Sequence, residues 1–445
     1  MITICVREYG VLFAAPRDMS ESLSSRVIPK KDWDWLLKEA SGTDKYKALV
    51  RPIKRDGFIG LQVLNYVGVI TTPHGCQIEI VPKIDKYVID GEGAGGQKEE
   101  AAKSRLKLAQ MLSRIGLIKF RAFNHASLKV FDRPLPEVLI KQFLDDVTRL
   151  IKRGIRNDYV AVKDEATYLK GRLQIAAQIR QPVGRQHLFQ IEYDEFLPDR
   201  AENRLIHSAL LQVSKQTRNS KNKRLAQELL FVFDAIPVSS NYRLDFSRWL
   251  ENDRSMIHYK PVKHWCDFIL NEKTPFSLAG AHQGLSFLFP MNVLFEKYVA
   301  VVLKEQLKEG LRLKEQAASK FLVERHIDRC VFQLKPDLLI LSAEKVLAVL
   351  DCKWKLINSK NREENYGISS SDMYQLFAYG KKYLGGKGDL FLIYPENEHF
   401  RHPLPVFDFD DDLSLWVVPL VWRDVKDSVL FNIESYDYLS NELVV

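Results

Sequence analysis

The sequence predicts an α+β multidomain chain, and three observations predict it. Apolar and polar residues alternate through much of residues 1–95. Apolar residues recur every three or four positions through much of 96–283. From 284 to 445 a helix, several strands, a second helix and a strand follow one another. The expected architecture is a β-rich N-terminal domain over 1–95, a mainly helical middle region over 96–283 and a C-terminal α/β domain with a mixed sheet over 284–445. A chain of 445 residues with 46% hydrophobic side chains can bury the cores that this division requires.

In the first block, FIGLQVLNYVGVITT (58–72) and GCQIEIVPKI (75–84) carry the alternation of half-buried strands. DGEGAGGQKEEAAKS (90–104) combines four glycines with a charged run, which predicts a loop. RLKLAQMLSRIG, PEVLIKQFLDDVTRLIKRGI and ENRLIHSALLQVSKQTR then space their apolar residues as amphipathic helices do. Between them, residues 168–195 alternate like strands and predict a hairpin that projects from the helices. Its Arg172, Arg180 and Arg185, with Arg204 beyond it, are either partner or phosphate contacts or plain surface. In the third block NVLFEKYVAVVLKEQLKEG (292–310) predicts a helix, DLLIL and VLAVLDCKWK predict strands, SDMYQLFAYGKKYLG a helix and DLFLIYP a strand. The last strand is expected to return parallel to an inner one through the crossover helix.

Composition excludes several classes of function. Five scattered cysteines with no C-x-x-C pair argue against a disulfide framework and against a zinc site. No apolar run approaches the roughly 20 residues of a spanning helix, and MITICVREYG is not a secretory leader, so a soluble cytoplasmic protein is expected. The net charge of +8 suits a polyanionic partner without specifying one. LGGKGD (384–389) lacks the hydroxyl residue of a phosphate-binding loop and sits between a helix and a strand, so this chain is not expected to bind a nucleotide triphosphate itself. His399 and His402 have a loose spacing and no acidic companion of obvious geometry, which argues against a metal role, and FDFDDDLSLW (407–416) reads as an acidic loop.

The chemistry concentrates in KPDLLILSAEKVLAVLDCKWK (335–355). Strand alternation puts Asp351, Lys353 and Lys355 on one face, with Cys352 and Trp354 on the other. A hairpin around SAEK would bring Asp337 beside Asp351. Two adjacent carboxylates repel unless a cation lies between them, and hard oxygen ligands of this kind suit Mg²⁺. Lys353 would reach the same volume and position or help deprotonate a water, so the constellation specifies metal-assisted phosphodiester hydrolysis.

Pro336-Asp337, thirteen residues, then Asp351-Cys352-Lys353 resembles the PD-(D/E)xK nuclease signature, and Asp372-Met-Tyr-Gln375 resembles the helix that carries a glutamine in many members. GVITTPHGCQIEIVPKI, YLKGRL (168–173), FLPDRAENRLIHSAL (196–210), DMYQLFAYG and LIYP, in that order, resemble McrC, the nuclease subunit of McrBC-type modification-dependent restriction systems. The resemblance implies a PD-(D/E)xK core in the third block, Mg²⁺ as cofactor, modified double-stranded DNA as substrate and a McrB-type AAA+ GTPase ring as partner, with GTP bound by that partner. It also implies that the rest of the chain stimulates the GTPase. Asp337, Asp351, Lys353 and Gln375 are then the catalytic candidates, with Asp337 and Asp351 as metal ligands. Glu296 either completes the metal site or is a solvated charge. Lys355 is a phosphate contact or surface. Tyr374, Phe377 and Tyr379 read as packing. Two other functions fit the same residues: a GTPase-activating subunit with a weak nuclease, and a stand-alone repair nuclease.

Overall fold

Alternation in the first block builds two small sheets that share one core. The computed structural model describes residues 3–14, 22–40, 49–55, 57–83, 94–116, 131, 133–249, 254–270, 287–422 and 429–430. β1 (Thr3–Arg7), β2 (Val11–Phe13), β3 (Ser25–Val27), α1 (Lys30–Ala40), β4 (Val50–Arg55), β5 (Phe58–Val63), β6 (Tyr66–Thr71) and β7 (Gln77–Val81) follow in order. One sheet runs β3-β2-β5-β4. In the other, β1 lies parallel to β7, which forms an antiparallel hairpin with β6. Val6, Leu12, Leu61, Val63, Ile70, Ile78 and Ile80 are buried between them, with Trp33 and Leu36 of α1. α2 (Ala94–Arg114) overturns the expected loop for residues 94–104, while 90–93 lie outside the described residues. Gly95 and Gly96 fall in its first turn, where their cost of about 1 kcal/mol each is offset by the helix formers that follow. Buried Arg105 fixes α2 to β7, its guanidinium donating to both carboxylate oxygens of Glu79 at 2.8 and 2.7 Å.

The chain divides into two units, Pro136–Lys273 and the remainder. α3 (Leu135–Arg153) leads into β8 (Asp158–Ala166), β9 (Arg172–Leu173), α4 (Ile175–Ile179), β10 (Phe189–Leu197), α5 (Ala201–Gln216), α6 (Ser220–Val232), α7 (Tyr242–Arg248) and α8 (Lys260–Leu270). Buried Glu137 of α3 accepts from Thr217 Oγ1, the Arg218 backbone N–H and Asn222 Nδ2, which supplies partners at the start of α6. A hairpin forms, but it starts earlier than the predicted 168–195: its first long strand, β8, lies before that range, while β10 begins inside it and runs two residues past its end. β8 and β10 pair over nine residues, Asp158↔Leu197 to Ala166↔Phe189, and 167–188 is an excursion at their tip. Two local devices hold that excursion. Gly171 (φ +68°) packs where a Cβ would meet the Glu192 carbonyl at 2.4 Å, and the Gln178 side chain bonds the Gln190 N–H and the Leu188 carbonyl.

The third block returns to the first unit. β11 (Phe287–Pro290) pairs with β6 and adds a fourth strand to the N-terminal sheet, so residues of the first and third blocks share one unit. α9 (Met291–Gln306), β12 (Leu311–Glu315), β13 (Lys320–His326), β14 (Arg329–Leu334), β15 (Leu338–Ser342), β16 (Lys345–Cys352), α10 (Ser370–Tyr383), β17 (Gly388–Pro395), β18 (Phe407–Asp410), β19 (Leu413–Val421) and β20 (Val429–Leu430) follow. A mixed sheet runs β12-β15-β16-β17-β19-β18, with β20 also on β19. As predicted, β17 lies parallel to β16 after the α10 crossover. Gly380 lets α10 settle on the sheet, since a Cβ there would meet Leu413 at 2.7 Å and Leu390 at 3.2 Å. The acidic 407–416 segment is strand β18 with the start of β19, joined by an Asp411-Asp412 turn. Its alternating Phe407 and Phe409 pack on the core while the aspartates face out. Among the described residues no helix is long and apolar enough to cross a membrane.

Candidate active site

Two strand ends place the paired carboxylates. β15 and β16 form the hairpin around SAEK, with Ala343 in the left-handed region (φ 51°) at its turn. Their register Leu338↔Leu350, extended by one residue, sets Asp337 opposite Asp351. The Cys352 backbone N–H donates to Asp337 Oδ2 at 2.7 Å, so one carboxylate is held by the backbone that carries the other. The Lys353 N–H continues the parallel ladder to the Ile393 carbonyl. Lys353 Nζ lies 2.6 Å from Asp351 Oδ2, an ion pair without an aligned hydrogen bond to that oxygen among the described residues.

Burial decides the electrostatics. Asp351 is 1% exposed, and loss of solvation raises its carboxyl above the ordinary range even against the pull of Lys353. Asp337 is raised by burial first and by the Asp351 charge second. For Lys353, burial works to lower the pKa, but Asp351, then Asp337 and Asp372, outweigh it and the ammonium is held above its usual range. Among the described residues no three His, Cys, Asp or Glu side chains gather into a ready-made metal cluster. The donor set is two hard carboxylates, one with an oxygen that lacks an aligned donor. It fits Mg²⁺, a cation that keeps most of its waters and is commonly held by one or two carboxylates.

Helices complete the surroundings. Gln375 of α10 accepts from Lys353 Nζ at 3.3 Å through Oε1, and its Nε2 donates to Tyr379 Oη at 2.7 Å. Tyr379 in turn donates to the Lys335 carbonyl at 2.9 Å, two residues before Asp337. Asp372, whose backbone N–H is capped by Ser369, stands 3.9 Å from Lys353. Glu296 of α9 is half-buried, accepts from Gln316 Nε2 at 3.1 Å and feels the Asp351 charge; burial raises its pKa.

The fold thus gathers Asp337, Asp351, Lys353 and Gln375, with Glu296 at the edge of their field. Lys355 departs from the predicted face. β16 ends at Cys352, and the Lys355 N–H turns back to the Lys353 carbonyl, so Lys355 lines a separate pocket with Trp354. Arg172, Arg180 and Arg185 are exposed on the excursion of the other unit, Arg185 with Glu165 at 3.6 Å, and Arg204 is paired with Asp199. Sequence reasoning missed Asp372 and the Tyr379 hydroxyl. Their three- and four-residue spacing from Gln375 was the available signal.

The chain matches the family described as McrBC 5-methylcytosine restriction system component over residues 61–395. It is similar to the Type IV methyl-directed restriction enzyme EcoKMcrBC of Escherichia coli (strain K12), with 24% identity over 308 residues, 65% of this chain and 85% of that protein. Its fold is similar to a chain in the refined half-complex from a tetradecameric assembly of Thermococcus gammatolerans McrB AAA+ hexamers with bound McrC. That likeness has a TM-score of 0.68 at 20% identity and covers 96% of each chain.

Proposed function

The chain belongs to the McrBC 5-methylcytosine restriction system component family as a McrC-type subunit, and on that premise we propose that it is a Mg²⁺-dependent endonuclease acting on modified double-stranded DNA within a GTP-dependent complex. The observation that carries this reading is the pair of burial-raised carboxylates on adjoining strand ends with Lys353 2.6 Å from one of them. The surrounding mixed sheet with its α10 crossover is the setting expected of a PD-(D/E)xK core.

Asp337 and Asp351 would hold Mg²⁺, which when bound supplies a lowered water pKa and stabilises charge on a phosphoryl oxygen. The Cys352 N–H keeps Asp337 oriented. Lys353, held charged by its acidic neighbours, presents an ammonium to the attacking water or to the phosphate. Gln375 and Tyr379 fix Lys353 by a chain of hydrogen bonds that ends on the Lys335 carbonyl. In this reading the partner is a McrB-type GTPase ring that binds GTP, and the β8–β10 arm with Arg172, Arg180 and Arg185 is its contact. The test is cleavage of methylated DNA by the purified chain with Mg²⁺ and GTP, with and without that GTPase, beside Asp351→Ala. Partner-dependent cutting that vanishes in the variant is expected. Cutting that survives the substitution would put the active site elsewhere.

A further inference from the structure

A cavity of about 410 Å³ opens immediately beside the motif strand, lined by Glu8, Tyr9, Lys83, Trp354, Lys355 and Leu356. Its walls stand where strands stop. Glu8 and Tyr9 follow β1, Lys83 follows β7, which lies parallel to β1, and Trp354 and Lys355 follow β16. This volume is within the ~300–1,000 Å³ usual for small-molecule sites.

The chemistry of the wall is specific. Glu8 is only 2% exposed, and its Oε1 accepts both the Trp354 indole N–H at 2.5 Å and the Lys83 backbone N–H at 2.8 Å. Its Oε2 has no hydrogen-bond partner among the described residues. A buried carboxylate oxygen left in that state calls for a donor. Burial raises the Glu8 carboxyl to about 7, the mark of a charge not fully compensated by the protein itself. Trp354 is fixed from its other side by Phe295 at a centroid distance of 5.2 Å. Tyr9 is held in the left-handed region (φ 61°), a conformation that non-glycine residues adopt at a cost, and is 40% exposed. An aromatic face, an acceptor without a donor and two bordering ammonium groups are the elements that recognise a nucleotide.

We propose that this cavity is a nucleotide subsite of the nuclease, taking one unpaired DNA nucleotide with an amino-bearing base directed at Glu8 Oε2 and phosphate between Lys83 and Lys355. The assignment rests on the nuclease reading above, because Trp354, which lines the cavity, directly follows Lys353 in the chain. Cytosine, adenine and guanine offer an amino group to the carboxylate. Uracil and thymine present a carbonyl oxygen in place of the cytosine amino group and keep only an imide N–H between two carbonyl oxygens, so they are disfavoured.

The test is equilibrium binding of dCMP and dUMP to the purified full chain at a pH of about 8.5, where Glu8, raised to about 7, is ionised, without partner or metal. dCMP is expected to bind roughly tenfold more tightly. Glu8→Gln retains an oxygen for Trp354 and Lys83 but turns the free atom from acceptor into donor, so it should reverse the preference. Lys355→Ala should weaken both nucleotides alike. Equal affinities, no saturable binding at millimolar nucleotide, or a preference unchanged in Glu8→Gln would overturn the proposal. Binding is read without cleavage, so those failures leave the Asp351→Ala result intact. DNA cutting that survives Asp351→Ala while the dCMP preference persists would break the assignment of the pocket to the nuclease.

Discussion

The strand ends around Asp351 and the arm formed by β8 and β10 use their side chains in opposite ways. At the strand ends charged groups are buried or half-buried, and neighbours hold them: Asp337 by a backbone N–H, Lys353 by Asp351 and Gln375. On the arm apolar groups face solvent, among them Tyr159, Tyr168, Ile175, Ile179 and Val183. Both arrangements cost stability in the isolated chain, the first through desolvation of charge and the second through exposed apolar surface. Under the proposed function the difference has a reason: one region would receive a cation and a phosphate, and the other would be covered by a protein.

The largest expected effect separates the two regions outright. Asp351→Ala should reduce cleavage by roughly 10²–10³-fold or more while leaving stimulation of the partner's GTPase unchanged, and a parallel loss of stimulation would break the comparison. Gly380→Val should push α10, with Gln375 and Tyr379, off Leu413 and Leu390; a stability loss of about 1–3 kcal/mol with a matching fall in cleavage is expected from urea unfolding and DNA cutting.

A pH series sharpens the cost of buried charge. The Glu8 carboxyl is raised from 4.5 to about 7, so the stability its protonated form contributes is full below about pH 4.5 and is lost as pH rises through about 7. Glu8→Gln should therefore be more stable than the wild type at pH 8, by on the order of 2–3 kcal/mol, with the gap closing toward pH 5 in urea unfolding. On the arm, Arg180→Ala with Arg185→Ala should lower GTPase stimulation several-fold and leave the unfolding free energy within about 0.5 kcal/mol of wild type. Unchanged stimulation would remove the arm from the interface. The smallest effect belongs to Tyr379→Phe, which removes one link to Gln375 and should cost about 1 kcal/mol, read as a few-fold slower cleavage.

What could be read in the sequence was what local pattern controls. The SAEK hairpin, the meeting of Asp337 with Asp351 and the parallel return of β17 follow from alternation and from a helix of crossover length. Three features followed other rules. The glycines of 90–104 suggested a loop, yet the run from Gln97 to Arg114 is helical because its Ala101, Ala102, Leu108 and Leu112 face is buried. Lys355 left the motif face because the chain turns at Lys353, a tertiary event invisible to a period of two. Glu8 meets Trp354 across 346 positions, and no local signal reports such a pairing.

The pairing of β11 with β6 sets a timetable. Val69 waits for Phe287, and at synthesis rates of roughly 5–20 residues per second the ribosome takes on the order of 10–45 s to supply it. Throughout that interval the edge of β6 that β11 will take, on an apolar strand with its backbone groups on offer, is without that partner. The nascent protein is thus vulnerable at that edge, and the strand that protects it arrives just ahead of the helix and strands that carry Glu296, Asp337 and Asp351.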